Sequence, residues 1–142
     1  MAIFLNGVST NGLVKLSGVD LTSMVRSVVI SQNYDKVEVT AMGATSKAYI
    51  PGLSDDTVTI EFMQNFGATS TDATISPLLG STTGATLLIQ TSSATVSATQ
   101  PSYTMLANAY TYEPLNGAVG ALSTTSVAFA PAAGSKITKA TS

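Results

Sequence analysis

Residues 19–66 read VDLTSMVRSVVISQNYDKVEVTAMGATSKAYIPGLSDDTVTIEFMQNF and form the most strongly patterned part of the chain. The chain has eight acidic and six basic residues, and nine of them lie in this stretch. The rest of the sequence is dominated by uncharged Ser, Thr, Ala and Gly. This distribution predicts one structured, interactive face on an otherwise bland surface, and it favours assembly over chemistry. After Phe66 the charged residues are Asp72, Glu113, Lys136 and Lys139.

Three strands are predicted within this stretch. Residues 26–32 are rich in Val and Ile, which predicts a buried strand. Residues 33–35 are typical of a turn, and apolar and polar residues alternate over 37–42. The clearest alternation spans 57–66. We expect Val58, Ile60 and Phe62 on its inner face and Thr57, Thr59 and Glu61 on its outer face.

The segment 43–56 joins the second and third of these strands. At this length it is long for a hairpin connection, and long loops in compact domains are usually functional. We therefore predict a loop or arm over 43–56 with a role of its own.

The remaining sequence also favours strands, which we predict over 85–91, 103–113 and 124–130. Both sides of 103–113 are apolar, which predicts a strand buried on two faces, one of them available for a subunit contact. The one helical signal lies in 70–80, where Ser76 and Pro77 fit an N-cap and first turn, Leu78 and Leu79 face inward, and Gly80 ends the helix.

We predict a single, mainly β domain over 1–142. It is a β-sandwich or β-barrel of about six to eight strands with one short flanking helix and a long loop or arm. Residues 1–18, with turns at Asn6-Gly7 and Asn11-Gly12, form an N-terminal arm or small hairpin. Residues 19–130 form the β core, and 131–142 form a polar C-terminal tail.

Composition limits the partners of the chain. Charged residues make up 10% of it, against about 25% in ordinary soluble domains. The net charge of −2 argues against nucleic-acid binding through a basic patch, and it is too small to hold copies apart. No apolar run approaches the roughly 20 residues that span a bilayer. The N-terminus lacks a signal-peptide pattern, so we expect a soluble protein without a targeting segment or membrane partner.

The sequence offers no catalytic constellation. It contains neither His nor Cys, so the usual general base and the usual zinc ligands are absent. Asp55-Asp56 lacks the spacing of a calcium loop and is better explained as a solvated turn. Glu38 and Glu61 could approach each other as a carboxylate pair, but exposed strand charges are the better interpretation. We expect no enzyme, no metal and no cofactor.

Four segments, taken in order, resemble the front half of the small tail tube (major tail) proteins of long-tailed bacteriophages. They are LTSMVRSV at 21–28, DKVEVTAMG at 35–43, SKAYIPGL at 46–53 and TVTIEF at 57–62. The resemblance covers most of 19–134 and is looser behind the front half. The helical region 70–80 is shorter and less charged than the family pattern.

The resemblance implies a subunit that assembles into hexameric rings, which stack into a hollow tube through which DNA passes. It implies self-association, contacts with tape-measure, tail-tip and tail-terminator proteins, and only transient, non-specific contact with DNA. The location would be the virion tail, after synthesis in the host bacterial cytoplasm. Lys36, Glu38 and Glu61 would be exposed charges at the lumen or an interface. The loop contacting an adjacent subunit or ring would contain Gly43, Ser46, Lys47, Tyr49, Ile50, Pro51, Leu53, Asp55 and Asp56.

Two alternatives remain open from the sequence. One is another virion structural protein, such as a head-decoration or tail-completion protein, which closes into a small oligomer. The other is a β-sandwich module that binds carbohydrate or a host surface. The absence of Trp and the aromatic fraction of only 6% disfavour that module, although the five tyrosines could form a patch.

Overall fold

The computed structural model describes residues 12–91, 95–98, 100–132 and 134–142. These residues form a mainly β structure with one short α-helix, α1 (Thr71–Ile75). The predicted mainly β fold with a single helix is confirmed. The strands are β1 (Leu13–Leu16), β2 (Val19–Asp20), β3 (Val25–Ser31), β4 (Tyr34–Glu38), β5 (Tyr49–Ser54), β6 (Thr57–Met63), β7 (Ala85–Gln90), β8 (Ser102–Thr111), β9 (Thr124–Pro131) and β10 (Thr138–Ala140).

Eight strands form one antiparallel sheet with the order β2-β1-β7-β8-β9-β6-β3. β10 pairs with the first part of β8, on the edge opposite β7, and β9 pairs with the second part. β4 and β5 form a separate two-stranded sheet. The chain therefore has a large sheet that carries the core and a hairpin that stands apart from it.

One hydrophobic cluster holds the large sheet together. The inward residues of β6 and β9 alternate strictly with outward ones, and Ile60 lies opposite Val127 in the register. Side chains from β1 and β7 join the same cluster, including Leu16 and Leu87. Because strands from both ends of the sheet order share one core, the sheet curls over itself, in agreement with a sandwich-like or barrel-like fold. The predicted inner face of Val58, Ile60 and Phe62 is fully buried.

β3 is more exposed than its Val- and Ile-rich sequence predicts. It is the last strand in the sheet order and pairs only with β6. Val29 on its outer face is consequently exposed, whereas Val28 and Ile30 are only partly buried. The prediction of a buried strand is wrong here because β3 is an edge strand, covered on one face.

β8 is buried on both faces over only part of its length. Three consecutive residues, Ala107, Asn108 and Ala109, are buried. Tyr110, within the strand predicted to be buried on two faces, is 60% exposed. Leu79, just after the helical segment, makes an isolated bridge to Ala109 along the edge of the strand. The prediction is therefore wrong for the end of β8, and a subunit contact on this strand stays a prediction.

The helix starts earlier than Ser76-Pro77 predicts. α1 begins at Thr71, whose hydroxyl donates to the Met63 carbonyl at 3.0 Å. Ser76 is the C-cap of α1, and Ser76–Leu78 form a 3-10 turn with proline in its first positions. Leu78 is buried as predicted, while Leu79 is exposed. The Ser-Pro signal thus marks the end of the α-helix and not its start.

The predicted N-terminal arm or small hairpin and the predicted polar tail both contain strands of the large sheet. Residues 13–20 form β1 and β2 around a turn with positive φ at Ser17 and Gly18, and β1 belongs to the large sheet. The turn predicted at Asn6-Gly7 and the first residue of Asn11-Gly12 lie outside the described residues. Residues 131–142 contribute β10 and the buried Ile137. Ala132 is also buried, so this segment of polar composition contains a strand that is held by few apolar residues.

Candidate assembly surface

A projecting β-hairpin is the main candidate site. We call residues 32–53 the hairpin; it comprises β4, β5 as far as Leu53 and their connecting loop 39–48. β3 leads directly into β4, and β5 leads directly into β6, so the hairpin continues the β3–β6 pair beyond the sheet. Every residue of 32–53 is exposed. At roughly 3.3 Å per residue, the six steps from Tyr34 to Thr40 extend it about 20 Å.

A buried carboxylate fixes the base of the hairpin. Asp56 is only 2% exposed. Its Oδ1 accepts the backbone N–H of Asn33 at 3.3 Å, and its Oδ2 accepts the backbone N–H of Ile137 at 2.8 Å. The Asp55 N–H also donates to the Asn33 carbonyl at 2.8 Å. Asp56 therefore connects the hairpin base, β6 and the C-terminal segment.

One face of the hairpin is apolar beyond Asp35, which lies on the same face near the base, and this face has no partner in the described residues. Val37 lies directly opposite Ile50, so their side chains share a face. The Val39 N–H donates to the Ala48 carbonyl at 2.8 Å, which continues the pairing towards the tip. Val37 and Ile50 are 44% and 50% exposed. An apolar strand face left in water is typical of a surface that is covered by another protein.

The opposite face of the hairpin is polar and internally satisfied. The Lys36 ammonium lies 4.0 Å from the centre of the Tyr49 ring, a cation–π contact. Glu38 Oε1 accepts a hydrogen bond from Thr40 Oγ1 at 3.1 Å, and Thr40 Oγ1 accepts the Ala48 N–H at 3.0 Å. These contacts make the hairpin a two-sided strand pair with distinct polar and apolar faces.

The sequence Pro51-Gly52 is accommodated within β5, where a loop is predicted. The register shifts between Tyr34 and Lys36, which places an extra residue on β5. A Cβ on Gly52 would stand 3.0 Å from the Asp35 Cβ, so glycine allows the strands to approach. Pro51 is tolerated because β5 pairs only with β4 and has a free edge. The predicted loop over 43–56 is therefore shorter, and its second half is a strand.

The predicted site residues fall into three places. Asp56 is buried and unavailable to a neighbour, and the solvated turn predicted for Asp55-Asp56 holds for Asp55 alone. Glu61 lies on the large sheet, 3.3 Å from Arg26 Nη1, and not beside Glu38. The others lie on the exposed hairpin: Lys36, Glu38, Gly43, Ser46, Lys47, Tyr49, Ile50, Pro51 and Leu53.

A second exposed apolar surface was not predicted. It lies at the end of β6 away from the hairpin, and we call Phe66, Leu115, Val119 and Leu122 the distal patch. Leu115 and Val119 are 85% and 107% exposed. The scattered single apolar residues among Gly, Ala and Asn in 113–122 give no periodic signal, so the sequence did not reveal this patch.

Hydrogen bonds hold the loop of the distal patch to the end of the sheet. Gln64 Nε2 donates to the Pro114 carbonyl at 2.6 Å and to the Tyr112 hydroxyl at 2.9 Å. Tyr112 in turn donates to Asp72 Oδ1 at 2.7 Å. Burial, together with the hydrogen bond to the Asp72 carboxylate, raises the pKa of Tyr112 to about 12. The phenol therefore stays protonated and can keep donating over a wide pH range.

The outer face of β3, β6 and β9 carries mostly small side chains and little net charge. Small polar and apolar side chains cover it, as at Thr59 and Ala128, which lie opposite each other. The Arg26–Glu61 ion pair neutralises the charges there. The outer edge of β3 is also unpaired in the described residues, and a free edge strand is a template for pairing with another chain.

Two kinds of feature are absent from the described residues. No group of three or more His, Cys, Asp or Glu residues is placed to hold a metal ion in that part of the chain. Among the residues described, no helix has the length and apolar character needed to cross a membrane.

Comparison with known proteins identifies the fold. No protein-family model and no curated protein matches the chain. A chain of the virion of a native gene transfer agent particle matches with a TM-score of 0.70 and 14% identity, covering 90% of this chain and 95% of that one. A chain of an extracellular contractile injection system, the PVC sheath-tube complex in its extended state, matches with a TM-score of 0.65 and 10% identity, covering 93% and 89%.

A chain of the anti-feeding prophage baseplate, 6-fold symmetrised, also matches, with a TM-score of 0.60 and 10% identity over 94% of this chain and 95% of that one. Identities this low establish the fold alone. The resemblance found in the sequence is confirmed at the level of the fold.

Proposed function

We propose that this chain is a non-enzymatic structural subunit of a phage-like tail, and specifically a tail tube subunit. It assembles into hexameric rings, and the rings stack into a hollow tube for DNA passage. The observation that carries the proposal is the hairpin, a well-formed strand pair of which every residue is exposed. The similarity in fold to chains from a virion, a sheath-tube complex and a baseplate supports the same role.

Each part of the structure has a place in such a tube. The free edge of β3 pairs with a strand of the adjacent copy, which removes an exposed sheet edge and closes the ring. The outer face of β3, β6 and β9 lines the lumen. Its small side chains and single neutralised ion pair let the polyanionic DNA slide, because they offer no array of cations to its phosphates.

The proposed partners and location follow from this role. Copies of the chain are the main partner, the tape-measure, tail-tip and tail-terminator proteins contact the tube at its axis and ends, and DNA is a transient one. The virion tail is the location, after synthesis in the bacterial cytoplasm.

A second candidate is a tail-completion or baseplate protein that forms one closed ring. The similarity to a chain of the anti-feeding prophage baseplate favours this alternative. It differs from the tube subunit in one property, since its rings do not stack.

Electron microscopy of the purified protein over a concentration series tests the proposal. Hollow tubes of uniform width with a regular axial repeat are expected, and end views count the subunits. Rings that never stack support the completion or baseplate alternative. A protein that stays monomeric throughout contradicts spontaneous tube assembly.

A shortened hairpin provides the matched variant. Glu38 and Tyr49 lie directly opposite each other, so residues 39–48 can be replaced by Asn-Gly, which closes a two-residue turn between paired strands. We expect this variant to fold with unchanged stability, because none of the removed side chains is buried, and to form no tubes. Normal tubes from it would show that the tip has no role in assembly.

A further inference from the structure

The hairpin and the distal patch lie at opposite ends of the same strand. β6 begins at Thr57, next to the hairpin base, and ends at Met63. Directly after it, the Gln64 side chain binds the Pro114 carbonyl and the Gln64 N–H binds the Ser123 carbonyl at 3.0 Å. Six steps of about 3.3 Å from Thr57 to Met63 place the two ends roughly 20 Å apart. The two apolar surfaces therefore point away from each other along the strand direction.

Two different surfaces at opposite ends favour a head-to-tail contact between copies. A contact between two unlike surfaces can be repeated from copy to copy. It gives a ring if the rotation between copies closes, and an open-ended stack if it does not. The hairpin tip supplies Val39 and the fully exposed Met42, while the distal patch supplies Leu115 and Val119. Each surface leaves large apolar side chains in water in a single copy, and each can cover the other in a stack.

The charges of the hairpin tip, which is the connecting loop 39–48, and of the loop 113–123 are complementary. Lys47 is the only charged residue in 39–48, and Glu113 is the only one in 113–123. Lys47 makes no ion pair in the described part of the chain. Glu113 there accepts only the neutral Asn116 amide, at 3.0 Å. Opposite charges within apolar surfaces fix the register of a contact and favour one orientation.

We propose that the hairpin tip of one copy binds the distal patch of the next copy along the axis, with Lys47 facing Glu113. This inference rests on the proposed tail tube function and specifies the contact that stacks the rings. The second copy is the ligand, and the contact is axial and heterologous.

Cysteine cross-linking tests the contact directly, because the chain has no native Cys. Ser46→Cys at the tip and Ala118→Cys beside Val119 are both at exposed positions. With a short bismaleimide, the double variant S46C/A118C is expected to give a ladder of dimers, trimers and longer chains under denaturing electrophoresis. The control pairs Ser46→Cys with Ala128→Cys on the outer face of β9 and is expected to give no ladder.

A charge exchange tests the register. Lys47→Glu and Glu113→Lys are each expected to raise the concentration for half-maximal assembly roughly tenfold, since like charges then face each other. The double variant K47E/E113K is expected to return it to within about twofold of the wild type. A merely structural role for either residue does not produce this rescue.

The outcomes separate the contact from the tube. Tubes without a ladder and without rescue overturn the proposed contact and leave the tube function standing. A ladder with rescue, but without tubes, supports the contact and overturns the tube. No assembly together with no ladder overturns both.

Discussion

Replacing Asp56 by Ala should destabilise the whole protein although the residue lies at the base of an exposed hairpin. The substitution removes the acceptor of the buried Ile137 N–H at 2.8 Å and of the Asn33 N–H at 3.3 Å. An unsatisfied buried donor costs about 1–3 kcal/mol, and the longer bond adds about 1 kcal/mol. We therefore expect D56A to lower the free energy of unfolding by about 2–4 kcal/mol.

Urea unfolding of the dilute monomer, followed by circular dichroism, measures this effect. With an m-value of about 2 kcal/mol per M, the unfolding midpoint should fall by about 1–2 M. Asp56→Asn keeps one acceptor oxygen, so we expect its unfolding midpoint to fall by about half as much as that of D56A. Asp55→Ala is the control, because Asp55 is exposed and its backbone hydrogen bond to Asn33 is unchanged. Equal midpoints for D56A and the wild type, or equal losses for D56A and D55A, would refute the reasoning.

Three further predictions concern the hairpin and the distal end. Val37→Asp should leave the urea midpoint of the monomer unchanged and abolish tube formation by sedimentation, because it charges an exposed apolar face. Gly52→Ala should also weaken assembly, since the added Cβ meets Asp35 and pushes the two strands of the hairpin apart. Monomer stability should stay unchanged, because the hairpin lies outside the core. Tyr112→Phe should cost about 1 kcal/mol in urea unfolding through the lost hydrogen bond to Asp72. The pKa of Tyr112 is raised on folding to about 12, so wild-type stability should fall as pH rises from about 10 towards 12, and Y112F should lack this part of the loss.

Control substitutions separate these specific effects from the general effect of adding a charge or losing a phenol. Thr59→Asp places the same charge on the outer face of β6 and controls for added charge, and Tyr110→Phe controls for loss of an exposed phenol. A V37D protein that still forms tubes, a G52A protein with wild-type assembly, or a Y112F protein with the same alkaline loss as the wild type would each contradict the corresponding prediction.

The sequence predicts what local periodicity determines. The alternation of Val58, Ile60 and Phe62 is correctly assigned because the pleat of a half-buried strand sets it. The exposure of Val29 is not predicted, because an edge strand and a central strand can have the same Val-rich sequence. Which one forms depends on the strand order, and distant parts of the chain decide that order.

The loop predicted over 43–56 overlaps the exposed hairpin, and its contact with a neighbouring subunit stays a prediction. Pro51-Gly52 indicates a loop where the structure has an edge strand. The role of Asp56 was missed because its partner, the Ile137 N–H, lies 81 residues away. The helix start was missed for a related reason, since Thr71 is held by the Met63 carbonyl and not by a neighbouring cap.

The hairpin contributes no buried side chain to the core, and this has a consequence for how such a chain can change over time. Under the proposed function, the residues that contact the next ring lie in the hairpin and are separate in sequence from those that form the core. A substitution at the tip would then alter the stacking contact with little effect on folding, and one in the core would do the reverse. Such a chain would be able to acquire a new stacking partner while the underlying sheet stays the same.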